Sequence, residues 1–310
     1  MCIRDRYTQI QAGPQAVNAI AGSGADLVLN GITGSVGLEP SIAALRAGSQ
    51  LALANKESVV AGGHLLFGAQ VRDDQINPVD SEHSAIWQSL RSGTHAEVSR
   101  LVVTASGGPF RGWKRADMSD ITPEQALNHP TWHMGPVVTI NSSTLMNKGL
   151  EIIEAMRLYR LPVEQVQAVI HRQSIVHSLV EFRDGALLAQ LGTPDMKLPI
   201  RYALTYPHRA ESPDKPLDLL TCGALTFAEP DERAFPCLRL ARYAAAVGGT
   251  ACAILNGANE AAVGMFLRGE IGFNDISRRV ERALERVPVQ YQPSLVDILE
   301  ADKAARRAAL

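Results

Sequence analysis

A strand–helix–strand unit near the start of the chain constrains the fold more than any other stretch. Residues 26–30 and 50–54 predict short apolar strands, and residues 38–47 predict a helix between them. Such a unit almost always forms parallel strands joined by a right-handed crossover. The connecting segment 31–37, GITGSVG, spaces its glycines GxxGxxG and not GxGxxG, which favours a tight turn over a dinucleotide site. The chain is therefore predicted to be an α/β protein with a parallel sheet.

Length and composition indicate several domains and a small-molecule ligand. At 310 residues the chain is long for one hydrophobic core, so two or three domains are expected. Hydrophobic residues make up 46% of the chain and the formal net charge is −2, which leaves no basic footprint for nucleic acid. No apolar run reaches the roughly 18 residues that span a bilayer, and no signal-peptide core opens the chain. We therefore predict no nucleic-acid partner and no membrane segment.

The four cysteines suit a reducing compartment. Cys2, Cys222, Cys237 and Cys252 form neither a CxxC motif nor a disulfide framework. We therefore expect packing roles for these residues and a cytoplasmic protein.

The stretch 129–154 gathers polar groups inside an apolar frame. Residues 136–140 are β-branched and predict a strand, residues 142–144 are hydroxyl residues typical of helix N-caps, and Leu145 begins a predicted helix. Residues 129–135, HPTWHMG, predict a loop that covers a ligand. A zinc site there is rejected because Pro130 interrupts any helix across the two histidines.

Three polar residues are predicted to share one face of that helix. Asn147, Lys148 and Glu151 stand three or four positions apart, and a helix start with such groups suits an anion such as phosphate. Gly149 costs about 1 kcal/mol against alanine, so a ligand or another backbone is expected to approach it closely. The alternative is a capped amphipathic helix whose polar face is solvated.

An acidic pair follows the predicted strand 75–79. If Asp80 and Glu82 lie in extended chain, their carboxylates point the same way and repel unless a cation joins them. Carboxylates without thiolate or imidazole partners suit Mg²⁺ or Mn²⁺ better than zinc. The alternative is that the two residues cap the following helix. A third carboxylate, from Glu151, would favour the metal.

Other polar segments also follow predicted strands. Residues 55–58, NKES, come after the second strand, where open α/β sheets bind ligands, although a solvated loop is the alternative. Ser106 and two glycines follow the predicted strand 101–105 and could present N–H groups to a phosphate or form a plain turn. Residues 166–170 and 174–182 predict two strands, with His171, Gln173 and His177 on one face as a satisfied or exposed polar row. Residues 207–216 predict a linker, and the chain from about residue 230 is predicted to be helical.

Seven ordered blocks of the sequence together resemble the 1-deoxy-D-xylulose 5-phosphate reductoisomerase family. The blocks are LANKESVV (53–60), PVDSEH (78–83), TASGGPF (104–110), HPTWHMG (129–135), SSTLMNKGLEIIEA (142–155), GTPDMK (192–197) and LNGANEAA (255–262). The resemblance covers roughly residues 26–294. It implies rearrangement of 1-deoxy-D-xylulose 5-phosphate and its reduction with NADPH to 2-C-methyl-D-erythritol 4-phosphate, for isoprenoid synthesis. It also implies Mg²⁺ or Mn²⁺, with Co²⁺ as a further candidate, and a homodimer.

The resemblance assigns roles to individual residues. Metal ligation is implied for Asp80, Glu82 and Glu151. A phosphate pocket is implied for Ser106, Ser142, Asn147 and Lys148, and other substrate contacts are implied for Ser81, His129 and Glu151. Cofactor contacts are implied for Asn55, Glu57, Gly135 and Met196. Catalysis is implied for Lys56, between metal, substrate and nicotinamide, and for His129 together with the three metal ligands, while Trp132 corresponds to the indole of a closing loop.

The sequence also departs from the family pattern. Family members open with a strand and a GSTGSIG-like turn that cradles the NADPH phosphates, whereas GITGSVG precedes LANKES and matches a later segment. We therefore expect that about two crossings, on the order of 30 residues each, are missing from the NADPH-binding domain. Residues 1–6 are left out of the fold. Ser143 and Arg172 stand where the pattern predicts alanine and proline.

The sequence thus predicts an α/β protein of three parts. These are an incomplete parallel-sheet NADPH-binding domain (1–79), an α+β catalytic domain (80–206) and, after a linker (207–229), a C-terminal helical domain (230–310). The predicted partner is a sugar phosphate. Two alternatives to the reductoisomerase remain: an inactive fragment of that enzyme, and a metal-dependent sugar-phosphate isomerase or lyase that needs no nicotinamide.

Overall fold

The first part of the chain forms a parallel sheet, as the strand–helix–strand unit predicts. The computed structural model describes residues 10–310, so Cys2 and the expectation about residues 1–6 lie outside the described residues. The N-terminal elements are α1 (Pro14–Ala21), β1 (Leu27–Asn30), α2 (Leu38–Arg46), β2 (Gln50–Leu53), α3 (Lys56–Gly68) and β3 (Ile76–Pro78). The three strands pair in the order β1-β2-β3, all parallel. The carboxyl ends of β2 and β3 therefore meet at one edge of the sheet.

A second, mixed sheet lies at the centre of the chain. Its region contains α4 (Ser81–Leu90), β4 (Val98–Ala105), α5 (Pro123–Leu127), α6 (Pro136–Ser143), α7 (Met146–Leu158), β5 (Val166–Ile170), β6 (Val176–Phe182), β7 (Leu187–Leu191) and α8 (Lys197–Thr205). The strand order is β5-β4-β6-β7, with β4 and β5 parallel and the other pairs antiparallel. The sequence did not indicate β7 or α8. The mixed sheet confirms the α+β character predicted for this part.

Four helices complete the chain, as predicted. They are α9 (Cys237–Val247), α10 (Ala251–Leu267), α11 (Phe273–Arg286) and α12 (Leu295–Ala309). Ile276 and Val280 of α11 are fully buried, while Arg278 and Arg282 lie on its exposed face. None of the helices among residues 10–310 is long and apolar enough to cross a membrane.

The largest hydrophobic core joins the second sheet to the C-terminal helices. Leu101 of β4, Ile152 of α7 and Phe266 of α10 belong to this one cluster. Helix α10 also contacts α6 through a buried hydrogen bond of 2.9 Å from Asn259 Nδ2 to Asn141 Oδ1. Because the core runs across the proposed boundaries, the domain limits at 79, 206 and 229 stay predictions.

The predicted strand 136–140 is wrong. The segment forms helix α6, which begins with Pro136 directly after its N-cap residue Gly135. Proline is pre-organised for the first helical position. Hydroxyl groups further along bond back to carbonyl oxygens four residues earlier: Ser143 to Thr139 at 2.9 Å and Thr144 to Ile140 at 3.1 Å. Local hydrogen bonds and the packing of buried side chains thus outweigh the β-propensity of the segment.

The predicted cap of the central helix is also wrong, although the helix itself is confirmed. Ser142 and Ser143 lie in the last turn of α6, and α7 starts at Met146 after Leu145 adopts a left-handed backbone with φ of 59°. Gly149 allows the close approach that its position predicts, because a Cβ there would lie 2.4 Å from the Cβ of Ala241 on α9. The neighbour is therefore another helix and not a ligand.

Candidate active site

Charged side chains meet where the first sheet ends. Lys56 opens α3 directly after β2, and Asp80 follows β3 directly ahead of α4. Because β2 and β3 are parallel neighbours, Lys56 Nζ lies 2.7 Å from Asp80 Oδ2. The solvated-loop alternative for residues 55–58 is therefore wrong for Lys56, whose side chain is only 15% exposed.

Helix α7 brings the remaining charges to the same point. Lys56 Nζ lies 3.1 Å from Glu151 Oε1, and Lys148 Nζ lies 2.8 Å from Glu82 Oε1. Lys148 also pairs with Glu151, to which Asn147 donates a hydrogen bond. The predicted shared face of α7 is thus confirmed, and it is buried and not solvated.

Three carboxylates form a group that fits a divalent cation. Asp80, Glu82 and Glu151 each offer one oxygen, and these atoms all lie within 4.8 Å of one another. An all-oxygen donor set suits a hard ion such as Mg²⁺ or Mn²⁺. A second group that satisfies the same distance, Asp80, His83 and Glu154, includes an imidazole. The residues present therefore fit the metal that the sequence predicts.

The route by which the first two carboxylates meet differs from the prediction. Asp80 precedes α4 and Glu82 lies in its first turn, so the segment is not extended. The side chain of Asp80 makes no capping hydrogen bond to α4. Its carboxylate faces Lys56 instead, which weakens the alternative that it serves only as a helix cap.

The pKa values in this cluster reflect burial and close charges. Burial and the neighbouring Glu82 carboxylate raise the pKa of Glu151 to about 7. For Asp80 burial favours the neutral acid, but the nearby Lys56, His83 and Lys148 together outweigh burial and hold the pKa below its usual range. For Lys56 burial favours the neutral amine, yet the carboxylates of Asp80, Glu151 and Glu154 raise its pKa well above the ordinary value. Lys56 therefore stays protonated, and Glu151 loses its proton less readily than an exposed glutamate does.

A cavity of about 330 Å³ opens on this cluster. Predicted site residues in its lining are Lys56, Asp80, Ser81, Glu82, Ser106, Trp132, Ser142, Asn147, Lys148, Glu151 and Met196. Lining residues outside the predicted set are Ala54, Thr104, Ala105, Gly107, His133, Met134, Val138, Leu145, Ser174 and His177. Most of these neighbour predicted residues within the same sequence blocks. Leu145 and Ser174 enter through left-handed backbone conformations, for which the sequence gives no signal.

Ser106 and Ser142 line another part of the cavity, and His129, which does not itself line the cavity, contacts both hydroxyl groups. His129 Nε2 lies 2.9 Å from Ser106 Oγ and 3.1 Å from Ser142 Oγ. Its Nδ1 accepts the backbone N–H groups of Thr131 and Trp132, so the proton of the neutral ring lies on Nε2. Burial and the nearby Arg111 lower the pKa of His129 to about 4, which keeps the ring neutral.

The glycine-rich turn after β4 reaches the end of α6. Gly108 has a φ of +66°, and a Cβ there would lie 3.0 Å from the carbonyl oxygen of Ser142. Only glycine combines this backbone with so close an approach. The turn therefore places Ser106 and Ser142 at the same end of the cavity.

The loop 129–135 borders the cavity, as predicted. Its members Trp132, His133 and Met134 line the cavity, and the ring of Trp132 lies 6.1 Å from that of His177 on β6. Neither His171 nor Gln173 shares a strand face with His177, because both lie in the turn between β5 and β6. Burial lowers the pKa of His177 and favours the neutral imidazole.

The four predicted cofactor residues differ in position. Met196 lines the cavity, whereas Asn55, Glu57 and Gly135 do not. The Asn55 side chain is buried, donates to the carbonyl oxygen of Gly34 at 3.0 Å and accepts from the N–H of Ser58 at 2.9 Å. Asn55 therefore holds the glycine-rich turn 31–37 against α3, and its direct contact with a cofactor stays a prediction.

Comparison with known families identifies three consecutive parts of the chain. Residues 2–63 match the model for 1-deoxy-D-xylulose 5-phosphate reductoisomerase, residues 76–159 that for its C-terminal domain, and residues 191–308 that for the DXP reductoisomerase C-terminal domain. These matches agree with the seven blocks that carry the resemblance.

Two curated relatives carry the same description over most of the chain. The 1-deoxy-D-xylulose 5-phosphate reductoisomerase of Bifidobacterium longum (strain DJO10A) is 60% identical over 97% of this chain and 77% of its own length. That of Beutenbergia cavernae is 55% identical over 98% of this chain and 78% of its own length.

Solved structures agree with the fold. The reductoisomerase from Zymomonas mobilis in complex with NADPH matches with a TM-score of 0.88 at 43% identity, over 96% of this chain and 77% of that chain. A DOX-P reductoisomerase in complex with NADPH, fosmidomycin and magnesium matches with a TM-score of 0.90 at 42% identity, over 96% and 78%. The chain belongs to the 1-deoxy-D-xylulose 5-phosphate reductoisomerase family.

Proposed function

We propose that this chain rearranges 1-deoxy-D-xylulose 5-phosphate and reduces the product with NADPH to 2-C-methyl-D-erythritol 4-phosphate, the reaction of its family in non-mevalonate isoprenoid synthesis. The observation that supports this most is the trio of carboxylate oxygens within 4.8 Å of one another beside a 330 Å³ cavity. Asp80, Glu82 and Glu151 are the proposed ligands of Mg²⁺ or Mn²⁺.

The charged end of the cavity is the proposed place of the rearrangement. A bound divalent ion supplies Lewis-acid stabilisation of charge that develops on substrate oxygens. Lys56 adds a fixed positive charge at the same point, because its ammonium lies within 3.1 Å of two of the proposed ligands. Lys148 neutralises Glu82 and Glu151 from the other side. Both lysines thus orient the carboxylates that receive the ion.

The opposite end of the cavity is the proposed phosphate site. Ser106, Ser142 and the Nε2–H of His129 are hydrogen-bonding groups without a net charge, and Asn147 adds an amide nearby. An anion that enters there finds hydroxyl donors, and the amide of Asn147 connects this group to Glu151, to which it donates a hydrogen bond. The charged group at one end and the neutral donors at the other are proposed to set the direction in which a sugar phosphate lies.

NADPH supplies the hydride for the reduction. Met196 and Ala54 line the cavity beside Lys56, and they are the proposed neighbours of the nicotinamide. Asn55 and Glu57 support this end indirectly, because Asn55 donates both to the carbonyl oxygen of Gly34 in the turn 31–37 and to the carboxylate of Glu57. Trp132 on the opposite loop is the proposed cover that keeps water from the reacting atoms.

The test is consumption of NADPH absorbance by the purified chain with 1-deoxy-D-xylulose 5-phosphate and Mn²⁺. We expect consumption that requires both the substrate and the metal and that Asp80→Asn abolishes. The exposed Glu164→Gln serves as the matched control and should keep full activity. Conversion of the substrate without NADPH consumption would instead support the metal-dependent isomerase or lyase.

We extend the proposal to a cytoplasmic homodimer. The edge strand β7 carries Leu187 and Leu188, which are 51% and 36% exposed. Exposed apolar side chains on a sheet edge favour pairing with another chain. Light scattering after size exclusion should give twice the chain mass of 33.4 kDa, and Leu188→Lys should shift it toward one chain mass.

A further inference from the structure

A buried carboxylate behind the proposed metal site has no assigned role. Glu154 lies three residues after Glu151 on α7 and is 4% exposed. Its Oε2 lies 3.1 Å from Nε2 of His83 and 3.8 Å from Nζ of Lys56. Burying a carboxylate this deeply costs folding free energy unless a cation or a hydrogen-bond donor is paired with it. The question is what Glu154 does for these two neighbours.

His83 holds Glu154 in a fixed place. The imidazole is fully buried in α4, and the hydroxyl of Tyr159 donates to the carbonyl oxygen of His83 at 2.5 Å. His83 Nδ1 has no hydrogen-bond partner among residues 10–310, so the contact of Nε2 with Glu154 is the ring's polar anchor. The carboxylate is therefore clamped from the side that faces away from the cavity, and its approach to Lys56 is a feature of the fold.

The carboxylates around Lys56 indicate when Glu154 becomes its main partner. Lys56 contacts oxygens of Asp80 and Glu151, the same two carboxylates that belong to the proposed ligand set. A divalent ion that binds these oxygens competes with the ammonium for them, and like charges at such distances repel strongly in a buried site. Among residues 10–310, the carboxylates within 4.0 Å of Lys56 are those of Asp80, Glu151 and Glu154, and of these only Glu154 lies outside that set.

We propose that Glu154 is a positioning residue, which receives the Lys56 ammonium when Asp80 and Glu151 take the metal ion and so keeps the lysine beside the substrate. The proposal rests on the proposed function for the identity of the metal ligands. It assigns two successive partners to one lysine, the ligand carboxylates before the ion binds and Glu154 afterwards. Without Glu154 the ammonium would leave the site as the ion arrives.

The geometry allows one competing role for Glu154. Asp80, His83 and Glu154 also satisfy the distance limit for a metal group. If that group binds the ion, Glu154 is a ligand and not the partner of Lys56. Metal affinity separates the two roles, because a ligand is needed for binding and a positioning residue is not.

The experiment uses Glu154→Gln in the full chain, with Tyr159→Phe as the matched control. The control removes a hydrogen bond from the same buried cluster without altering its charge. Mn²⁺ affinity is measured by electron paramagnetic resonance of the free ion. The reactivity of Lys56 is measured by acetic anhydride labelling and mass spectrometry, with and without Mn²⁺.

We expect wild-type protein and Tyr159→Phe to keep Lys56 protected in both conditions. In Glu154→Gln, Mn²⁺ should still bind, but it should raise Lys56 labelling several-fold because the displaced ammonium has no second partner. Turnover should fall by about 10- to 100-fold, the range typical of residues that support a metal site. Glu154→Asp, which keeps the charge, should recover most of the protection. If Glu154→Gln does not fold, Glu154→Ala replaces it as the variant that removes the charge.

Two results would overturn the proposal. Loss of Mn²⁺ binding in Glu154→Gln would make Glu154 a ligand, and unchanged Lys56 labelling on addition of Mn²⁺ would show that the lysine never depends on it. Neither measurement needs turnover. A chain that binds Mn²⁺ and shows the expected labelling but consumes no NADPH would therefore contradict the proposed function and leave the role of Glu154 in place.

Discussion

The two ends of the cavity differ in the charge of the side chains that would bind a ligand. The metal end is built from charged side chains that regular elements hold in place, such as Asp80 and Glu151, and lysines satisfy these charges. The phosphate end is built from neutral groups on a turn, a loop and a helix end, with His129 kept neutral at a pKa of about 4. The metal end is therefore charged before a ligand binds, whereas the phosphate end is neutral until an anion binds there.

This difference determines how each end should respond to mutation. At the metal end, removal of one charge leaves a buried partner uncompensated, so both folding and binding suffer. At the phosphate end, removal of one hydroxyl costs little more than a hydrogen bond to the ligand. Substitutions at the two ends should therefore separate metal affinity from substrate affinity.

The largest effect is expected for Glu151→Gln. The amide cannot replace the carboxylate that faces two lysines and completes the metal group. Loss of an indirect partner already costs about 10- to 100-fold in metal affinity, so loss of a direct ligand should exceed about 100-fold and abolish turnover. Mn²⁺ titration and NADPH consumption measure the two effects. Unchanged Mn²⁺ affinity would remove Glu151 from the ligand set.

Lys148→Ala should come next and should act on both ends. Lys148 is 4% exposed, and its loss leaves Glu82 and Glu151 facing each other. Breaking a buried ion pair in this way costs about 3 to 5 kcal/mol of folding free energy. Urea unfolding measures the cost, and the Michaelis constant for the substrate should rise with it because Lys148 also lines the cavity.

The surface residue Lys197 provides the control for Lys148. Its side chain is 63% exposed and pairs with Asp195 and Asp214. Because exposed pairs contribute about 0 to 1 kcal/mol, Lys197→Ala should barely change the unfolding curve. Equal losses from the two variants would contradict the view that Lys148 neutralises a buried carboxylate pair.

The sequence indicated the charged end because its residues lie where strands end or recur along one helix. Asp80 follows β3, Lys56 follows β2, and Lys148 and Glu151 recur at helical spacing on α7. Strand order and helix periodicity indicate where these groups lie, but the residues alone left a helix cap and a solvated face as alternatives, and the ligand set came from the family resemblance. The partner of Lys56 on the far side, Glu154, was missed, because a carboxylate one turn after Glu151 is equally typical of a solvated helix face.

The phosphate end was predicted by residue type but not by backbone. Ser142 was expected to cap α7, whereas it lies at the end of α6, and the bend between the helices passes through Leu145 in a left-handed conformation. A leucine carries no signal for that conformation. The helix at 136–143 packs against its chain neighbours α5 and α7 and also against α10, whose residues are distant in sequence.

Ser142→Ala is expected to have a moderate effect confined to the phosphate end. The hydroxyl lies in the cavity lining and 3.1 Å from His129 Nε2. A hydrogen bond to a charged group contributes about 1.5 kcal/mol or more, so the Michaelis constant should rise by about tenfold while Mn²⁺ affinity stays unchanged. The adjacent Ser143→Ala is the control, because Ser143 Oγ points away to carbonyl oxygens of Ala126 and Thr139. A similar rise in both variants would contradict the assignment.

The smallest effect concerns the pH dependence of the neutral end. The pKa of His129 is about 4 in the folded chain, below the ordinary value near 6.5, so folding favours the neutral ring. This contribution to stability is fully present above about pH 6.5 and is lost as the pH falls toward 4, because protonation of Nδ1 breaks its contacts with the N–H groups of Thr131 and Trp132.

Urea unfolding of wild type and His129→Asn at pH 7 and pH 5 tests this dependence. Because the ring is only half buried, solvent screens the interaction, and we expect the stability difference between the two proteins to shrink by less than about 1 kcal/mol at the lower pH. The same acidification should increase hydrogen exchange at the N–H groups of Thr131 and Trp132 in the wild type. Parallel stability losses in both proteins, with unchanged exchange in the loop, would show that His129 does not fasten the loop to the phosphate end.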